Sequence, residues 1–263
     1  MKDILEEIIA HKRVEIERQK QIFAPELLAA NCRRSTTPVS MRASLAASRT
    51  GIIAEFKRRS PSKGWINEGA QPDAVASGYD IGGATAMSIL TDEEFFGGTL
   101  KDITRARPQV KLPILRKDFI IDEYQLYQAH IVGADAVLLI AAALTPGQCR
   151  DLARKAHELR LEVLLEVHTE AELEYVGEHI DMVGVNNRNL GTFHTDVQNS
   201  FRLAEKLPAD MLKVSESGIS SPETVVQLRE AGFRGFLIGE NFMKTENPGE
   251  ALRHFIRQIL VRP

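Results

Sequence analysis

Along the chain, short apolar runs alternate with longer stretches whose apolar positions recur at helical spacing. The runs are Gly51–Lys57 (GIIAEFK), Thr85–Leu90 (TAMSIL), Leu112–Lys117 (LPILRK), Asp135–Ala141 (DAVLLIA), Leu161–Val167 (LEVLLEV), Asp181–Asn186 (DMVGVN), Met211–Glu216 (MLKVSE) and Arg234–Gly239 (RGFLIG). Each is too short for a typical helix and rich in Ile, Val and Leu, so each reads as a buried strand. The stretches between them read as helices. Ser220–Ala231 predicts a helix capped by Ser221, with Pro222 in its first turn and Gly232 as its stop. Thr145–Leu159 opens on Thr-Pro, and Thr169–Val176 opens on T-E-A-E, a capping-box pattern that predicts a further helix.

Near-continuous apolar strands alternating with helices imply a parallel sheet covered on its outer face. Eight such units within about 210 residues fit a closed (β/α)8 TIM barrel of the α/β class. An open Rossmann-like sheet is the runner-up, and the lack of GxGxxG after the first strand counts against it. Ahead of the first strand, Asp3–Lys20 predicts an extra helix with Ile4, Ile8, Ile9 and Ile16 on one side. The expectation is one domain over residues 1–263, with 1–48 as an N-terminal helical extension packed on the barrel. The chain stops at Pro263 soon after the last helical stretch, so no second catalytic domain is expected behind it.

Composition narrows the classes. A net charge of -3 gives no support for nucleic acid or an anionic membrane as partner. Cys32 and Cys149 form no CxxC and read as unpaired thiols in a reducing compartment. Charges interrupt the first 20 residues, which excludes a signal-peptide core, and no apolar run is long enough to span a bilayer. A soluble, cytoplasmic protein is expected.

Active sites of such barrels form at the C-terminal ends of the strands. A charge at a strand position that should be Val or Ile is costly unless paired or functional. Strand one ends in Glu55 and Lys57, which share a face. Strand three ends in Lys117, strand five carries Glu166, strand six ends in Asn186 and strand seven in Glu216. Solvated ends or buried ion pairs would account for any one of them. Two lysines, three glutamates and an asparagine converging on one mouth point to acid–base chemistry.

After strand seven comes Ser217-Gly218, and after strand eight Gly239-Glu240-Asn241. Barrels of this kind often bind phosphate between those two loops through backbone N–H groups, where a side chain would block the approach. Turns alone would also explain the glycines. Arg58–Gly64 is a basic, Gly/Pro-punctuated loop and reads as a mobile lid. Trp65 and Phe95-Phe96 fall in loops at the mouth, as an apolar wall or as loop packing. His168 reads as a capping or surface residue. No HExxH, GxSxG, Walker A or Cys/His cluster is present.

The segments IIAEFKRRSPSKG, LTDEEFFGG, LPILRKDFIIDEYQ, GADAVLLI, LLEVHTEAEL, VGVNNRNL, VSESGI and FLIGENFM occur in order, one per strand end. They resemble the signatures of the indole-3-glycerol-phosphate synthase family over nearly the whole chain. FKRRSPSKG, RKDFI and NNRNL are the specific ones. The resemblance implies a decarboxylating lyase of tryptophan biosynthesis acting on 1-(o-carboxyphenylamino)-1-deoxyribulose 5-phosphate, with no metal or organic cofactor. It implies Lys117 as the acid for ring closure, and Lys57 with Glu166 as the acid–base pair for dehydration. Glu55 would orient the lysines and the anilino N–H, and Asn186 and Glu216 would complete the polar network. Ser60 and Phe119 would lie beside the carboxylate and ring, with Leu138 and Leu190 as apolar wall. Ser217, Gly218, Gly239, Glu240 and Asn241 would hold the phosphate. Arg59 and Asn241 depart from the residues common there. The expected partner is this small molecule alone, with no nucleic acid and no membrane, and the chain is expected as a monomer or weak homodimer. The alternative is another phosphate-binding barrel enzyme, a sugar-phosphate isomerase or Schiff-base aldolase.

Overall fold

Eight parallel strands close into a barrel, each hydrogen-bonded to its neighbours in chain order, with the first joined to the last. The structure is a computed structural model and describes residues 4–189, 191 and 193–261. The strands are β1 (Ile52–Phe56), β2 (Ala86–Leu90), β3 (Ile114–Lys117), β4 (Ala136–Ile140), β5 (Glu162–Val167), β6 (Met182–Asn186), β7 (Leu212–Glu216) and β8 (Phe233–Ile238). All eight apolar runs become strands, trimmed or shifted at their ends. The largest trim at a single end is at β3, which starts after Leu112-Pro113 because proline has no N–H for the ladder.

Alternation along each strand divides the core in two. Ile52, Ala54 and Phe56 face outward into the layer shared with the helices. Ile53, Leu115, Leu138, Leu164, Met182, Val214 and Leu237 fill the barrel interior. Because side chains repeat every second residue, the interior rows continue into Glu55, Lys117, Glu166, Asn186 and Glu216 at the C-terminal ends. The barrel therefore has an apolar floor and a charged upper layer.

The N-terminal extension contains three helices where the sequence predicted one. Helix α1 spans Ile4–Ile22, α2 Pro25–Ala30 and α3 Met41–Ala47. Leu5, Ile8, Ile9 and Ile16 of α1 are buried, while Ile4 is only half-buried, and Asp3 lies outside the described residues. The short helices were missed because one or two turns carry too little periodicity to register. In α3, Met41 and Leu45 are fully buried in the interior cluster, where they stop the end of the barrel opposite the charged layer.

Two local expectations are corrected. Thr169–Val176 forms only a 3-10 turn over Ala171–Tyr175, because eight residues before Gly177 are too few to propagate an α-helix. Glu172 still accepts the N–H of Thr169, half of the expected capping box. The loop after β1 is a small hairpin, Arg59–Ser60 against Gly64–Trp65. Arg58 anchors it by a two-pronged ion pair with Asp102 at 2.7 and 2.9 Å. Phe95 and Phe96 end a helical turn, Glu93–Phe96, capped by Asp92. The helices Pro146–Glu158 and Pro222–Glu230 carry the expected caps, Thr145 and Ser221.

Candidate active site

The charged layer opens into a cavity of about 490 Å3 at the C-terminal mouth. Glu55, Lys57, Ser60, Lys117, Phe119, Leu138, Glu166, Asn186, Glu216, Ser217, Gly218, Gly239, Glu240 and Asn241 all line it. Residues from every part of the sequence-expected site thus meet on one surface. Leu190, the remaining candidate, lies outside the described residues.

Lys117 is the hub. Its Nζ stands 3.1 Å from Oε2 of Glu166 and 3.2 Å from Oε2 of Glu216. Lys57, just past β1, reaches Oε1 of Glu55 at 2.6 Å. Asn186 hydrogen-bonds to Glu166 through its side chain, and its Oδ1 accepts the N–H of Arg188 at 3.0 Å.

Five ionisable groups in one buried layer cannot all keep their ordinary affinity for protons. Burial works against the Lys117 ammonium, but Glu216, Glu166 and Glu55 together hold it above the usual lysine range. Burial also works against the Glu166 carboxylate. Lys117, the nearby His168 and the Asn186 hydrogen bond outweigh it, and Glu166 lies below its usual range. Glu216 goes the other way. Burial, with the negative charges of Glu166 and Glu55, pushes it up to about 7 despite Lys117. Lys117 therefore holds a proton at neutral pH, Glu166 is ready to accept one, and Glu216 can do either.

Two glycines make room for this set. A Cβ on Gly184 of β6 would stand 2.1 Å from Oε1 of Glu216, and one on Gly239 would stand 2.3 Å from Oε1 of Glu55. Gly239 thus has a packing role beyond the phosphate contact expected of it. Gly218 has φ +74 and follows Ser217 at φ +67, so the chain after β7 curls through two left-handed residues around the rim. After β8, Glu240–Met243 forms one helical turn starting at Gly239. The Glu240 carboxylate pairs with Lys63 of the hairpin at 2.5 Å.

Several lining residues escaped the sequence reading. Arg188 lines the cavity, reaches Ser62 Oγ at 3.2 Å, and has a buried Nε with no hydrogen-bond partner among the described residues. Its place in the Asn-Asn-Arg end of β6 was the available signal. Lys244 adds another cation, and Ile4, Leu5 and Ile8 of α1 form part of the wall. Phe96 stacks obliquely beside Phe119, ring centres 5.9 Å apart, as the aromatic part of that wall. Trp65 does not reach the cavity lining. It is half exposed and packs with Arg59 against Gly97. His168 is corrected too. Its backbone N–H donates to Glu172, but the ring is only 12% exposed and faces Glu166.

An eight-stranded α/β barrel with lysines and carboxylates interleaved at its C-terminal mouth defines a barrel enzyme of the acid–base kind. The family model described as "Indole-3-glycerol phosphate synthase" matches residues 5–255. The chain belongs to the indole-3-glycerol phosphate synthase family. It is 64% identical over 259 residues to the indole-3-glycerol phosphate synthase of Bacteroides thetaiotaomicron, covering 98% of this chain and all of that one. It is 44% identical over 261 residues to that of Acidithiobacillus ferrooxidans, covering 97% and 98%. Among solved structures, thiamine phosphate pyrophosphorylase from Pyrococcus furiosus superposes with a TM-score of 0.61 at 14% identity, covering 84% of this chain and 98% of that one. Tryptophan synthase subunit alpha from Legionella pneumophila gives 0.60 at 13%, covering 83% and 96%. At such identities these two likenesses show the fold alone. Among the described residues no helix is long and apolar enough to cross a membrane.

Proposed function

We propose that this mouth carries out the family's reaction on 1-(o-carboxyphenylamino)-1-deoxyribulose 5-phosphate, giving indole-3-glycerol phosphate, carbon dioxide and water. The observation that carries the reading is Lys117 held as an ammonium between Glu166 and Glu216, inside a cavity with an aromatic wall. The ring carbon bearing the carboxylate attacks the sugar carbonyl, and Lys117 gives a proton to the oxygen as it becomes an alkoxide. Carbon dioxide leaves, and its bonding electrons restore the aromatic ring. Lys57 then protonates the departing hydroxyl while Glu166 takes a proton from the adjacent carbon, closing the indole double bond. Two protons are given and one is recovered. Each turnover therefore draws one proton from solvent, matching the carboxylate charge lost as carbon dioxide.

The other residues bind and orient. Glu55 holds Lys57 and receives the anilino N–H. Asn186 keeps Glu166 aimed, and Glu216 shares the Lys117 proton. Ser60, Phe119 and Leu138 embrace the aromatic half, and the Arg188 guanidinium offers a cation to its carboxylate. The rim of Ser217, Gly218, Gly239, Glu240 and Asn241 receives the phosphate through backbone N–H groups. Lys63 is released from Glu240 when that phosphate arrives. This chemistry takes place in the cytoplasm and asks for no bound cofactor.

The test is a direct assay. Purified protein is mixed with the substrate in chelator-containing buffer, and indole fluorescence is followed. Saturable growth that disappears in Lys117→Ala is the expected result. No product from folded wild-type protein overturns the reading. A borohydride-trapped lysine adduct with a ketose phosphate would replace it with an aldolase.

A further inference from the structure

Behind Glu166, two residues on and one past the end of β5, sits an imidazole that the mechanism above does not use. His168 does not itself line the cavity. Its Nε2 lies 3.4 Å from Oε1 of Glu166, and its Nδ1 lies 3.8 Å from Oε2 of Glu172. The ring is 12% exposed, and among the described residues neither nitrogen has a hydrogen-bond partner. The backbone is fixed from two sides. The His168 N–H donates to Glu172, and its carbonyl accepts from Nδ2 of Asn199 at 3.0 Å. The same Asn199 amide also reaches the Asn186 carbonyl at 3.2 Å, which ties the ends of β5 and β6 together.

An imidazole between two carboxylates has a choice of where to put its N–H. Oε2 of Glu172 already accepts two backbone N–H groups, from His168 and Thr169. Glu166 is the acceptor with more to gain. It is almost fully buried, so an unserved oxygen on it is costly, and a slight ring rotation closes the 3.4 Å gap. Lys117 holds Oε2 of Glu166 from the cavity side and the Asn186 side chain serves the same carboxylate, so Nε2 of His168 is a further contact, made to Oε1 from behind. We infer that His168 is a positioning residue for Glu166, its Nε2–H holding Oε1 so that the carboxylate keeps one orientation while it takes and returns its proton. This inference rests on the functional reading above, because it gives Glu166 a proton to move. It assigns to His168 a role that a capping residue would not have.

The geometry supplies its own test, because the two amide side chains mimic opposite nitrogens of the ring. Gln places an N–H near the position of Nε2, and Asn places one near Nδ1. The experiment is steady-state kinetics on His168→Gln, His168→Asn and His168→Ala, with thermal unfolding of each. The expected order of kcat is wild type, then His168→Gln, then His168→Asn and His168→Ala, the last two lower by about tenfold. KM should hold in all three, since the residue touches no substrate. In a Glu166→Gln background, His168→Ala should add no further loss. The reverse order, with Asn rescuing and Gln failing, would assign His168 to the Glu172 turn and overturn the inference. Wild-type kcat in His168→Ala would also overturn it. Nitrogen NMR of the His168 ring reads the same arrangement without turnover. A proton on Nε2 facing Glu166 supports the inference, and the tautomer with its proton on Nδ1 alone rejects it. Wild-type protein that makes no product but carries the Nε2 proton would sink the functional reading and leave the contact standing.

Discussion

Two lysines, each among buried carboxylates, lie on opposite sides of one strand end. Lys12 of α1 meets Glu15 at 2.8 Å, Asp92 at 2.8 Å and Asp118 at 3.1 Å. Lys117 meets Glu166 and Glu216 at nearly the same distances. Lys117 and Asp118 are neighbours in sequence, yet their side chains join different clusters, because strand alternation sends them to opposite faces. The ingredients match and the outcomes differ. Around Lys12, Arg116 adds a second cation, 2.9 Å from Asp118, and the lysine side chain is 1% exposed. Against the cost of burial, Lys12 and Arg116 hold Asp118 well below the usual carboxylate range. Around Lys117, three glutamates face two lysines, one glutamate is pushed up to about 7, and the lysine opens on the cavity. A closed cluster, whose two buried carboxylates Asp92 and Asp118 are matched by two buried cations while Glu15 lies nearer the surface, fixes a helix to the barrel. An open cluster with a carboxylate in excess has a proton to trade.

Substitutions at the two lysines should separate these roles. Lys117→Ala is expected to lower kcat by about a thousandfold with the far-UV circular dichroism unchanged. Near-normal turnover would remove the contrast. Lys12→Met should leave Asp92 buried without its counter-charge and Asp118 with Arg116 alone, at a cost of roughly 3–5 kcal/mol in urea unfolding. A loss below about 1 kcal/mol there would mean that α1 is held by its apolar face alone. Glu216→Gln sharpens the difference through pH. The folded protein keeps a proton on Glu216 that the unfolded chain releases above about 4.5, so wild-type stability falls as pH rises from there to about 7. Glu216→Gln should remove that slope, on the order of 2 kcal/mol between pH 5 and 8, and a slope that survives would place the titration on another group. The smallest effect is expected from Asn186→Ala. It should lower kcat/KM by about tenfold while stability changes by less than about 1 kcal/mol. Equal losses in both would make Asn186 structural.

How far the two clusters could be read in advance differs for a physical reason. The Lys117 cluster is made of strand residues, and strands announce themselves here as apolar runs. A charge at an interior position of such a run stands out, so Glu55, Lys117, Glu166 and Glu216 were visible one at a time. The barrel rule then brought them together. Lys12 sits on an amphipathic helix rich in charged residues, where a lysine looks like any solvated side chain. Its partners Asp92 and Asp118 are far off in sequence, and nothing local marks them as the end of its reach. The same limit hid Arg188 and Lys244, whose positions depend on how the loops fold back over the mouth. It also hid α3, because seven residues carry no periodic signature, yet two of them close the barrel floor. His168 was misread because a sequence distinguishes a histidine on a turn from one turned inward only when the neighbouring strand is in place.

The space beside Gly184 and Gly239 has a consequence for any survey of this chain by alanine replacement. Alanine scanning treats the methyl group as the neutral baseline and asks what each larger side chain adds. At these two positions the methyl is itself the intruder, since its carbon would fall 2.1 Å and 2.3 Å from carboxylate oxygens. Such a scan would record both as inactivating and file them with residues that do chemistry. What their missing side chains contribute is vacancy, and the two carboxylates occupy it.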